Sequence, residues 1–83
     1  MKITFKLYAN LTDYLPIERK HNAIELDVAP ATTIADLVSR FKLPEKLVHL
    51  VLINGVYIEP PVRPTRMLQD GDVLAIWPPV AGG

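Results

Sequence analysis

The chain has 83 residues, with nine basic and nine acidic side chains, two histidines and no cysteine. That length supports one small hydrophobic core and no second module. The balanced charge lacks the basic footprint that nucleic acid or an anionic membrane requires, and the missing thiols exclude disulfides, thiolate-ligated zinc, iron–sulfur clusters and thiol catalysis.

Met1-Lys2 runs straight into an alternating pattern. There is no signal-peptide block and no apolar run of bilayer length, so a soluble, cytoplasmic protein is the expectation. Ile3, Phe5 and Leu7 point one way and Lys2, Thr4 and Lys6 the other, which predicts a half-buried strand. From Ala9 to Pro16 the pattern is ambiguous, and Leu11, Tyr14 and Leu15 fit one helical turn laid against a core. Ile17 to Asn22 is polar and reads as a hairpin tip, after which Ile24, Leu26 and Val28 alternate with Glu25 and Asp27 as a returning strand.

Thr33, with Asp36 three residues later, is a capping-box start. Ile34, Leu37, Val38 and Phe41 then fall at i, i+3, i+4 and i+7, one apolar stripe on a helix facing a sheet. Pro44 to Val48 reads as a short helical turn with Pro44 at its first position. Leu50-Val51-Leu52-Ile53 is apolar throughout, the pattern of a strand covered on both faces or near the sheet centre. Asn54-Gly55 is a strong hairpin signal and Val56-Tyr57-Ile58 is the return. Glu59 to Thr65, with Pro60, Pro61 and Pro64, reads as a loop or short extended link.

Asp70-Gly71-Asp72 turns the chain into a last strand, Val73 to Trp77. Pro78 has no N–H to give a ladder, so pairing should stop there and divide the chain into a body, 1–77, and a tail, 78–83. The pair Pro78-Pro79 favours an extended, stiff arm, and six residues at ~3.3 Å each reach on the order of 20 Å. Val80, Ala81, Gly82 and Gly83 lose bulk step by step, so the end of the chain suits a narrow channel in another protein. The expected chemistry is at the Gly83 carboxylate.

The order strand, strand, helix, strand, short strand, strand predicts an α+β fold with a mixed sheet of about five strands on one main helix. The right-handed crossover rule places the first and last strands side by side at its centre. The ending Asp70-Gly71-Asp72-Val73-Leu74-Ala75-Ile76-Trp77-Pro78-Pro79-Val80-Ala81-Gly82-Gly83 resembles the C-terminal signature of the MoaD/ThiS family of ubiquitin-like sulfur carriers, with its β-grasp fold. Pro-Pro-Val-Ala-Gly-Gly is nearer to the small subunit of molybdopterin synthase, whereas Leu43 to Val48 is at least as similar to the thiamine-type carriers.

The resemblance implies that a ubiquitin-activating-type enzyme adenylates Gly83 with ATP. A persulfide donor then converts the acyl-adenylate to a thiocarboxylate. In the molybdopterin branch the tail, Trp77 to Gly82, enters the large synthase subunit and delivers sulfur to a pterin precursor of the molybdenum or tungsten cofactor. On this reading the chain binds no cofactor or metal and is not an enzyme on its own. Two other classes stay open: a protein modifier joined to lysines through the same tail, and a passive β-grasp binding module.

Other features carry two readings. Trp77, Val73 and Ala75 are either a docking face or residues packed under loops. Asp70 and Asp72 either meet a basic partner or serve the turn. His21 and His49 have no companion at metal-ligand spacing. Pro61-Val62-Arg63-Pro64 matches a proline-helix ligand pattern, but a rigid loop accounts for it.

Overall fold

The computed structural model describes residues 1–79. Strand β1 (Lys2–Leu7) is followed by a 3-10 turn (Ala9–Tyr14) that buries Leu11 against the core. Strand β2 (Ala23–Asp27) returns antiparallel to β1, with Lys2 opposite Asp27 and Lys6 opposite Ala23. The helix α1 (Ile34–Arg40) crosses over the sheet, and β3 (Leu50–Ile53) and β4 (Val56–Tyr57) form a hairpin. The last strand, β5 (Val73–Trp77), inserts between β1 and β3.

The sheet order is β2-β1-β5-β3-β4, with β1 and β5 parallel and the other neighbouring pairs antiparallel. The first and last strands are therefore adjacent at the centre, as expected from the sequence. One helix on one face of a mixed five-stranded sheet is the β-grasp architecture. No helix among the described residues is long and apolar enough to cross a membrane.

The core lies between α1 and one face of the sheet. Phe5, Leu7, Leu11, Ile34, Val51, Leu74 and Ile76 are each 0% exposed, and such a side chain contributes about 1.5–3 kcal/mol by leaving water. Of the predicted helical stripe, Ile34 and Leu37 are buried while Val38 and Phe41 pack at its margin. The Phe41 ring lies 5.1 Å from that of Phe5.

The helix termini follow from local chemistry. Thr33 Oγ1 accepts the Asp36 N–H at 3.1 Å, and the Asp36 carboxylate accepts the Thr33 N–H at 2.9 Å, a complete capping box. At the other end Lys42 has φ +56°, Lys42 N–H donates to Ser39 and Leu43 N–H donates to Val38. That is a Schellman ending with a lysine in the left-handed position glycine usually holds.

Two sequence expectations shift. The turn after the helix spans Glu45–Leu47, so Pro44 is its cap and not its first residue. The larger correction concerns β3. Val51 and Ile53 are 0% and 2% exposed, but Leu50 is 37% exposed and Leu52 is half-buried. Only one face of the strand is covered, because the single helix lies on the other side from Leu50 and Leu52.

The predicted loop Glu59 to Thr65 contains a 3-10 turn (Pro60–Val62) and a buried cation. Arg63, 9% exposed, donates from Nε to the Ile58 carbonyl (3.0 Å), from Nη2 to the His49 carbonyl (3.1 Å) and from Nη1 to the Val48 carbonyl (3.4 Å). The same segment serves the helix start: Ile34 N–H donates to the Arg66 carbonyl and Ala35 N–H to the Arg63 carbonyl.

Candidate functional site

Residues opposite one another in a sheet share a face. Leu50 opposes Trp77, and Leu52 opposes both Ala75 and Tyr57, while Lys6 pairs with Ala75. The face away from α1 therefore carries Leu50, Leu52, Tyr57, Ala75 and Trp77, with Lys6 and Thr4 beside them. Tyr57 is 50% exposed and Trp77 is half-buried. This is an apolar row at the end of the sheet from which the chain leaves β5.

Trp77 is the last paired residue. His49 N–H donates to its carbonyl at 3.2 Å, and Tyr8 N–H donates to the Ile76 carbonyl at 3.2 Å. The Tyr8 and Trp77 rings stack with centroids 4.0 Å apart and planes 9° from parallel. Pairing stops at Pro78, as its missing N–H demands. Pro78 is itself buried and Pro79 is exposed, so the backbone clears the body at Pro79. Val80, Ala81, Gly82 and Gly83 lie outside the described residues.

The other residues singled out from the sequence divide cleanly. Ala75 is 7% exposed, whereas Val73 and Trp77 are both half-buried. Asp72 is 5% exposed and fully engaged: it accepts from Asn54 Nδ2 at 2.9 Å and from the Gln69 N–H at 2.8 Å. Asn54, at φ +52°, in turn accepts the Val73 N–H at 2.8 Å. Asp70 accepts the Lys2 N–H at 2.8 Å. Both aspartates hold the entry to β5, which is the turn role and not a charge patch for a partner.

His21 and His49 are exposed, and no metal-binding group of His, Cys, Asp and Glu occurs among the described residues. Sequence reasoning missed Tyr8, Leu50, Leu52 and Tyr57. Alternation already placed Tyr8 in phase with Lys2, Thr4 and Lys6, on the uncovered face, and an aromatic at such a position was the available signal.

A family model described as Mut7-C ubiquitin matches residues 1–82. No curated protein is similar enough to match. Among solved structures, SAMP1 from Haloferax volcanii is similar over 100% of both chains, at 25% identity and TM-score 0.67. The thiamine biosynthesis protein ThiS from Geobacter metallireducens is similar over 100% of both chains, at 19% identity and TM-score 0.67. A chain from the complex of subunits 1 and 2 of molybdopterin-converting factor from Helicobacter pylori is similar over 100% of both chains, at 22% identity and TM-score 0.59. With nearly the whole chain matched and the β-grasp shared throughout, the protein belongs to the Mut7-C ubiquitin family.

Proposed function

We propose that the protein is a sulfur carrier whose working atom is carried on the Gly83 carboxyl group. The observation that supports this most is the pairing of a Trp-Pro-Pro-Val-Ala-Gly-Gly sequence with a strand that delivers it from the sheet centre beside an uncovered apolar row. A carboxylate at neutral pH is ionised and a poor acyl electrophile, so activation comes first. The Gly83 carboxylate attacks the α-phosphate of ATP in a ubiquitin-activating-type enzyme, releasing pyrophosphate and forming an acyl-adenylate. A persulfide sulfur displaces AMP, and a thiol then cleaves the resulting S–S bond to leave the thiocarboxylate.

ATP is thus a substrate of the partner, and the chain itself holds no cofactor and supplies no catalytic side chain. Trp77, Pro78, Pro79, Val80, Ala81 and Gly82 form the delivery arm, and the row of Leu50, Leu52, Tyr57 and Trp77 is the docking face. The likeness to a chain from a complex of subunits 1 and 2 of molybdopterin-converting factor supports a hetero-oligomer with a large subunit of that kind as the acceptor complex, with the thiamine-type acceptor as the competing destination. A cytoplasmic site of action follows from the ATP and persulfide supply.

Intact mass after incubation with the activating enzyme, ATP and a persulfide donor tests the proposal. Exchange of one oxygen for sulfur on Gly83 is the expected result. An unchanged mass refutes carriage and favours a binding module, whereas adducts on lysines of other proteins make the chain a modifier.

A further inference from the structure

Trp77 is held from both sides, and the two grips are different in kind. On one side the backbone of β3 holds it, through the His49 N–H on its carbonyl. On the other side a side chain holds it, because Tyr8 stacks flat on the indole at 4.0 Å and 9°. β1 ends at Leu7, opposite Ile76, and the Tyr8 N–H donating to the Ile76 carbonyl carries the pairing one position further, which sets Tyr8 beside Trp77. Tyr8 stands one position further on, with an extended backbone at φ −117°. Ala9 then turns sharply away at φ +52°, a left-handed conformation that costs a residue with a Cβ roughly 1–2 kcal/mol. The chain thus accepts strain immediately after placing the ring on Trp77.

The consequence concerns the arm. Pro78 is buried directly after Trp77 and Pro79 is exposed, so the direction of the stiff proline pair is set by the orientation of residue 77. We propose that Tyr8 is a positioning residue: its ring clamps Trp77 so that Pro78-Pro79 leaves the sheet in one direction, which lowers the cost of docking Gly83 in the activating enzyme. This rests on the carrier reading above. An arm that points one way has less orientational freedom to lose on docking, so the clamp acts on KM and leaves the chemistry, and hence kcat, alone.

Two measurements test it. Amide hydrogen exchange reads the clamp in the isolated chain: in Tyr8→Ala the His49 amide should exchange about fivefold to tenfold faster, and in Tyr8→Phe within about twofold of the unaltered chain. The Asn54 amide, which donates to Val73 at the opposite end of β5 at 2.9 Å, is the internal control. It should not move, whereas general destabilisation would speed both. An unchanged His49 rate overturns the proposal, as does equal acceleration at Asn54.

Adenylation by the same organism's ubiquitin-activating-type enzyme, followed by pyrophosphate exchange, reads the consequence. Tyr8→Ala should raise KM by about fivefold or more with kcat within about twofold, and Tyr8→Phe should restore KM. An unaltered KM in Tyr8→Ala, or a Tyr8→Phe variant as impaired as Tyr8→Ala, overturns the positioning role while leaving carriage intact. Failure to charge even the unaltered chain overturns the carrier reading, and the positioning role with it.

Discussion

Replacing Arg63 by methionine removes a buried cation whose hydrogen bonds all go to backbone carbonyls, those of Ile58, Val48 and His49. Methionine keeps most of the aliphatic stem, so lost packing contributes little. The bonds at 3.0 and 3.1 Å are well formed and that at 3.4 Å is marginal. A hydrogen bond from a charged donor is worth about 1.5–3 kcal/mol, so two good ones contribute roughly 3–6 kcal/mol before the guanidinium's lost hydration is charged against them. The net loss should be about 2 kcal/mol, most of it from leaving the Ile58 carbonyl buried without a donor. For a domain of this size that lowers Tm by roughly 8–16 °C. Thermal melts and urea titrations measure it, with a shifted midpoint and an unchanged slope as the signature of pure stability loss. Arg63→Lys should recover less than half, since one ammonium cannot reproduce the planar fork that meets three acceptors. A methionine variant within about 0.5 kcal/mol of the parent would refute the reasoning, by showing that desolvation cancels all three bonds.

Loss of the helix cap in Thr33→Ala should cost about 1 kcal/mol in the same titrations. Lys42→Gly should stabilise by about 0.5 kcal/mol or more, because glycine adopts φ +56° without a Cβ penalty. Asn54→Ala, which strips a donor from Asp72 and an acceptor from the Val73 N–H, should cost about 1–3 kcal/mol, and a neutral result would show that water replaces both bonds. Deleting Gly83, or adding one residue after it, should abolish sulfur transfer in the mass assay while leaving Tm unchanged; transfer by either variant would end the carrier reading. Trp77→Glu should weaken capture of the activating enzyme by about tenfold or more with a smaller stability loss than Leu74→Ala, whose cavity should cost about 2–5 kcal/mol.

The sequence by itself determined the elements and their order, because those rest on short-range physics. Period-two alternation in Lys2 to Leu7, the Thr33–Asp36 box, the 3.6-period stripe from Ile34 to Phe41 and the Asn54-Gly55 turn are each read within a few residues. The end of β5 at Pro78 is equally local, since a missing N–H stops a ladder wherever it falls. Even the adjacency of the first and last strands was expected from the sequence. What only the tertiary structure decided is which apolar residues stay uncovered. Val51 and Leu52 are neighbours in one apolar run, yet a single helix can cover only one face of the sheet, and that leaves Leu50 and Leu52 in the open row. The meeting of Tyr8 with Trp77, 69 positions later, and of Arg63 with the Ile58, Val48 and His49 carbonyls is likewise set by strand register and chain crossing. No local pattern encodes such contacts, because each depends on where two distant segments come to lie in space.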